Sequence, residues 1–82
     1  MKVVLYGKEN CCLCDDAKTI LHELAQEYKF ELEEIDIYKD EILLEKYQIL
    51  IPVIEIEGEE VEYGIVHKDV ISKRLIKFSR VE

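Results

Sequence analysis

Three cysteines within four positions, Cys11-Cys12-Leu13-Cys14, close a short apolar run and open an amphipathic segment. That placement limits the fold more than any other feature. Val3-Val4-Leu5-Tyr6 is unbroken and rich in β-formers, which suits a central strand buried on both faces. Gly7 to Asn10 reads as a loop. Leu13, Ala17, Ile20, Leu21, Leu24 and Tyr28 then recur at spacings of three and four, which puts them on one helical face. Asp15 and Asp16 in the early turns suit the positive end of the helix dipole. The C-x-x-C therefore lies at a strand–loop–helix junction.

The remaining pattern gives the other elements. From Phe30 to Ile37 the apolar residues alternate, first as Phe30 and Leu32, then in the opposite phase as Ile35 and Ile37. A strand with a slip or bulge near Glu33-Glu34 fits this. Asp40 is a candidate cap for a short helix ending at Tyr47. Val53 to Ile56 predicts a third strand. Glu57-Gly58 is a turn signal, and Val61 and Tyr63 resume an alternating pattern, so an antiparallel hairpin is expected. Gly64 breaks it. Residues 69–79 predict a last helix with Ile71, Leu75 and Phe78 on its buried side. Lys73, Arg74, Lys77 and Arg80 lie toward its C-terminal part, where cations are favoured. The order is β-α-β-α-β-β-α. Right-handed crossovers would make the first part of the sheet parallel, and the hairpin would add an antiparallel edge. Helices must cover both faces of so small a sheet.

At 82 residues, 49% hydrophobic and 37% charged, the composition is that of one small folding domain spanning 1–82. The net charge of −8 makes phosphate backbones, and hence nucleic acid, an unlikely partner. The acid is concentrated: residues 30–63 carry 2 basic and 12 acidic side chains. Solvated faces are the ordinary explanation; a field that selects basic partners is the sharper one. The longest apolar run, Ile49 to Ile54, contains Pro52 and is far short of the roughly 18–20 residues that cross a bilayer. Val3 to Tyr6 is too short for a secretory signal. A cytoplasmic, membrane-free protein is expected.

An odd and tightly local set of cysteines does not cross-link a fold, so the cluster reads as redox chemistry or metal binding. Cys11 falls at or just before the first helical residue. Free N–H groups and the dipole there stabilise a thiolate, the nucleophile of thiol–disulfide exchange. Cys14, about one turn on, is placed to attack a mixed disulfide at Cys11 and release the partner. Asp15 and Asp16 oppose thiolate formation, and Lys8 favours it. Two thiolates supply only half of a four-ligand zinc site, so no metal ligand is assigned within one chain, and a site shared across a dimer is the metal alternative. Cys12 points about 100° from Cys11 and does not easily replace either partner. His22, on a face with Lys18, Gln26 and Lys29, is expected to be exposed. His67 is a candidate cap or ligand contact before the last helix. Tyr6 and Tyr63 read as packing residues.

On these residues the chain resembles the thioredoxin superfamily and, within it, the glutaredoxins. Val3 to Cys14 looks like the glutaredoxin strand, lysine-bearing loop and redox motif. Tyr47 to Gly58 looks like the stretch leading to the family's cis-proline and hairpin. Cys14-Asp15-Asp16-Ala17 is similar to a small group whose motif is C-x-L-C followed by two acids and Ala. The resemblance covers nearly the whole chain. It implies an α/β, thioredoxin-like (glutaredoxin-type) fold, a four-stranded mixed sheet flanked by helices. It implies Cys11 as nucleophile, Cys14 as resolving thiol and a cis Ile51-Pro52 bond beside them. Substrate would meet Lys8, Ile51, Pro52 and Gly64.

Departures accompany it. Cys-Leu stands where glutaredoxins usually have Pro-Tyr, and Leu50-Ile51 where they have Thr-Val. Tyr63-Gly64-Ile65-Val66-His67-Lys68-Asp69 keeps one of the two glycines and one displaced acid of the glutathione-binding segment. The expected activity is reduction of protein or glutathione mixed disulfides by a monomer. No cofactor is required, glutathione is a possible co-substrate, and an external thiol re-reduces the pair. The alternatives are a metal or iron–sulfur module and a redox-silent adaptor that binds a basic protein.

Overall fold

The computed structural model describes residues 1–79. Its elements are β1 (Lys2–Gly7), α1 (Cys12–Ala25), β2 (Glu31–Asp36), a 3₁₀ turn (Ile37–Lys39), α2 (Glu41–Tyr47), β3 (Val53–Ile56), β4 (Glu59–Tyr63) and α3 (Lys68–Ser79). The sheet order is β2-β1-β3-β4. β1 and β2 are parallel, as a helical crossover requires. β3 lies antiparallel on the other side of β1, and β4 antiparallel to β3. The hairpin thus supplies an inner strand as well as the expected edge. Glu57 (φ 51°) and Gly58 (φ 81°) both take positive φ, the requirement of a two-residue type I′ turn. Asp40 caps α2 as expected, its Oδ1 accepting from the N–H of Ile42 and of Leu43.

Alternation along the strands sends side chains to two separate cores. On one face Val3, Leu5, Ile54 and Ile56 pack with Ala17, Leu21 and Leu24 of α1 and Ile71 and Leu75 of α3. On the other, Val53 packs with Ile37 and Tyr47, flanked by Tyr6, Leu43, Leu44, Leu50 and Ile51. Helices therefore cover both faces. Phe78 packs at the edge of the first core, as the last-helix pattern predicts. Arg80, expected in that helix, lies outside the described residues. Among the described residues no helix is long and apolar enough to cross a membrane.

Four expectations need correction, the simplest being Tyr63, expected to pack but exposed at the end of β4. Leu13 is exposed, and the buried stripe of α1 is Cys14, Ala17, Leu21 and Leu24, so a cysteine takes the first apolar position. The slip near Glu33-Glu34 is absent, because β2 pairs with β1 without interruption. The change of phase has another cause. Leu32 pairs with Val3 and packs toward α1, whereas Ile35 pairs with Tyr6 on the opposite face, with Ile37 buried beyond it. Each end of the strand serves a different layer. The bulge sits instead in β4, where Ile54 pairs with Glu62 but Glu55 pairs with Glu60. Val61 is the extra residue. It packs against the α1/α3 core while Tyr63 pairs with Val53 of the other, so the two do not share a face.

Candidate active site

β1 ends at Gly7, and a short loop with Asn10 in the left-handed region (φ 55°) leads to Cys11. Asn is among the few non-glycine residues that accept that conformation readily. Cys11 is extended (φ −119°, ψ 115°) and caps the N-terminus of α1. Its Sγ accepts from the Cys14 N–H at 3.3 Å, and its carbonyl accepts from the Asp15 N–H at 3.0 Å. The sulfur thus lies at the end of α1 where first-turn amides have no partner within the helix.

Cys14 is buried beneath it, Cys11 is partly exposed and Cys12 is exposed; all three are free thiols. Burial pushes the Cys14 thiol up to about 11, and its hydrogen bond with Cys11 adds to the shift. A hydrogen bond from the Lys8 backbone works the other way. Gly7 makes this burial possible. A Cβ there would meet Cys14 Sγ at 3.0 Å and Cys14 Cβ at 3.3 Å. A glycine ending a strand just before the cysteine loop was the available signal, and pattern reading passed over it.

The proline segment arrives from the other side. The Ile51-Pro52 bond is cis, as the resemblance implies. Tyr6 pairs with Val53, so one further step of that antiparallel register sets Pro52 level with Gly7. Gly64 (φ 72°) donates its N–H to the carbonyls of Leu50 (3.1 Å) and Pro52 (2.9 Å). The expected Ile51, Pro52 and Gly64 therefore form one hydrogen-bonded unit at the sheet end that carries the cysteines.

Tyr47, not anticipated from sequence as a site residue, anchors this unit. Its carbonyl accepts from the N–H of Leu50 (2.8 Å) and of Ile51 (3.2 Å). Its buried side chain donates its hydroxyl to Glu60 Oε1 at 2.9 Å and to Glu55 Oε2 at 3.4 Å. The Tyr6 ring lies 4.8 Å from it, and Lys46 Nζ sits 4.9 Å from the ring centre. Burial, then the carboxylates of Glu60 and Glu55, hold the Tyr47 phenol protonated well above its usual range. Tyr6 is pushed up to about 12 by burial and then by a hydrogen bond to Glu55.

Lys8 is exposed and lines a groove of about 500 Å³ with Cys14, Asp15, Lys18, Glu34, Asp36 and Lys39. That groove does not include Cys11, Ile51, Pro52 or Gly64. The expected substrate contacts therefore fall into two places, Lys8 on the β2 side of the cysteines and the cis-proline unit on the β3 side. Lys18 is paired with Glu34 at 2.9 Å, and His22, exposed as expected, stands 3.8 Å from the same carboxylate. His67 holds Glu62 through Nδ1 at 2.6 Å, and its carbonyl starts α3 by accepting from the Ile71 N–H. Among the described residues, no group of three or more His, Cys, Asp and Glu side chains is arranged to hold a metal ion.

Comparison with known proteins adds a family to this geometry. The family described as "Glutaredoxin-like domain (DUF836)" matches residues 2–76. No curated protein sequence matches. Among solved structures, protein Ne2328 from Nitrosomonas europaea is 36% identical, with 90% of this chain and 89% of that one covered and a TM-score of 0.78. A structural-genomics target protein from X. campestris is 25% identical over 92% of this chain and 96% of its own, with a TM-score of 0.75. A mutant thioredoxin from Halobacterium salinarum shares the fold, with a TM-score of 0.73 at 19% identity over 99% of this chain and 76% of that one.

Proposed function

The chain belongs to the glutaredoxin-like domain family, and from that premise we propose that it is a thiol–disulfide oxidoreductase with Cys11 and Cys14 as its dithiol. One observation carries the reading: Cys11 caps α1 at the surface, while Cys14, its N–H on the Cys11 sulfur, is buried behind it. One sulfur is presented and the other is held in reserve.

In the forward direction the Cys11 thiolate attacks one sulfur of a substrate disulfide. A Cys11–substrate disulfide forms, and the other substrate sulfur leaves as a thiolate. With Cys11 now neutral, its negative charge no longer opposes ionisation of Cys14. Cys14 gives up its proton to solvent or to a leaving thiolate and attacks Cys11 Sγ. The Cys11–Cys14 disulfide forms, and the second substrate thiolate departs. Substrate gains two electrons and the protein loses two, to be restored by an external thiol or dithiol. Lys8 on the β2 side and the Ile51, Pro52 and Gly64 unit on the β3 side are the residues assigned to meet the substrate.

The test is equilibration in graded dithiothreitol buffers, alkylation of the remaining thiols and mass determination. A single two-electron transition confined to Cys11 and Cys14, with Cys12 alkylated throughout, is the expected result. Cys14→Ser should trap a mixed disulfide on Cys11. A chain whose thiols all stay reduced across the range, with nothing trapped by the variant, would reject the dithiol.

A further inference from the structure

We infer that the disulfide this site takes is borne by a polypeptide, neutral or basic, with apolar side chains beside its cysteine, and not by glutathione. The inference rests on the dithiol reading above and names its substrate class.

The first observation is apolar surface at the cysteine end of the sheet. Ile49 is 89% exposed, Ile65 66%, Tyr63 63% and Leu13 42%. Leu13 stands in the first turn of α1 between Cys12 and Cys14. Ile49 precedes the cis-proline segment, and Tyr63 and Ile65 flank Gly64, which is bonded to that segment through Leu50 and Pro52. These exposed side chains therefore lie on the segments next to the cysteines and next to the cis-proline unit, at the sheet end where Cys11 is reached. Scattered exposed apolar residues need no explanation; a set gathered about a reacting sulfur favours an apolar visitor.

The second observation concerns donors. Glutathione carries two carboxylates, which call for free N–H groups or unpaired cations. Here the Gly64 N–H serves two carbonyls and the Ile51 N–H serves that of Tyr47. In the groove beside Cys14, Lys8, Lys18 and Lys39 are offset by Glu9, Asp15, Glu34 and Asp36, and Lys18 is already paired.

The third is charge. Asp15 and Asp16 follow the cysteines directly, Glu62 lies beside Tyr63, and the chain carries a net charge of −8. An anionic tripeptide is repelled by this field, and a basic segment is drawn in.

Three probes with a common chromophoric leaving group test the idea. Each is a mixed disulfide with thionitrobenzoate: one on the cysteine of a short Lys- and Leu-rich peptide, one on an acidic counterpart of equal length, one on glutathione. The basic apolar probe should show a kcat/KM at least about tenfold above the other two, with an advantage that shrinks as salt is raised. The doubly substituted Ile49→Ser, Ile65→Ser protein, altered only at exposed positions, should raise its KM by about tenfold through lost apolar contact. Equal or faster turnover of the glutathione probe, or an unchanged KM in the variant, would overturn the inference and leave the dithiol standing. Release from none of the three probes would remove both.

Discussion

On the face covered by α1 and α3, the buried residues are aliphatic below Cys14, and the hydrogen bond between Tyr28 and Ser72, 3.0 Å, is only partly buried. On the face covered by α2, Ile37 and Val53 close on Tyr47, whose hydroxyl ends between two glutamates. Glu55 and Glu60 stand opposite each other across β3 and β4, an unfavourable pairing for like charges. The phenol and Lys46, 3.7 Å from Glu60, offset it. Among the described residues, the first face buries nine hydrophobic residues against three on the second, and so carries the larger share of the hydrophobic stabilisation. The second spends part of its interior on a polar tether, and that tether leads through the Tyr47 carbonyl to Leu50 and Ile51. Stability and placement of the site are thus divided between the two sides of one sheet.

The most direct way to break this comparison is truncation. Leu21→Ala, in the aliphatic core, should cost about 4 kcal/mol in urea unfolding, against about 2 kcal/mol for Ile37→Ala on the other face, where the same three carbons are removed. Similar losses per methylene removed would mean that the faces do not differ. Gly7→Ala forces a methyl against Cys14 at the head of the aliphatic face and should cost about 2 kcal/mol by overpacking. It should also slow closure of the Cys11–Cys14 disulfide, read by alkylation after rapid oxidation.

Tyr47→Phe keeps the ring and removes the tether, for a loss of about 1 kcal/mol. Repeating it with Glu60 already changed to Gln sharpens the comparison: most of that loss should then vanish, because the phenol no longer separates two charges. Alkali probes the same side. Tyr6 has its folded-state value raised to about 12, so its contribution is complete below the ordinary value near 10 and is lost as pH climbs toward 12. The smallest effect belongs to His67. Its hydrogen bond to Glu62 raises its value above the ordinary 6.5. The pair therefore favours the folded state fully below 6.5 and loses that contribution as pH rises through the raised value. An NMR titration should find the midpoint above 6.5, and Glu62→Gln should bring it back.

Much of this molecule was legible in the chain. The helix and strand order and the Asp40 cap follow from spacing and local chemistry. What stayed hidden depends on three-dimensional neighbours. Leu13 and Cys14 compete for the first buried position of α1, and only the approach of Gly7 decides it. The double phase of β2 is the same in sequence whether one face slips or two layers share the strand. Tyr47 reads as one more apolar residue at a helix end, because its partners lie 8 and 13 residues away on β3 and β4.

The extra residue at Val61 acts as a ruler for the site. Counted evenly from the Glu57-Gly58 turn, Glu62 would stand opposite Val53. With Val61 added, Tyr63 takes that place and Gly64 arrives at the carbonyl of Pro52. Hairpin register is therefore a calibrated dimension: pairing the same strands without the bulge would set Glu62 opposite Val53 and bring Tyr63, in place of Gly64, level with Pro52, with every residue there unchanged in sequence.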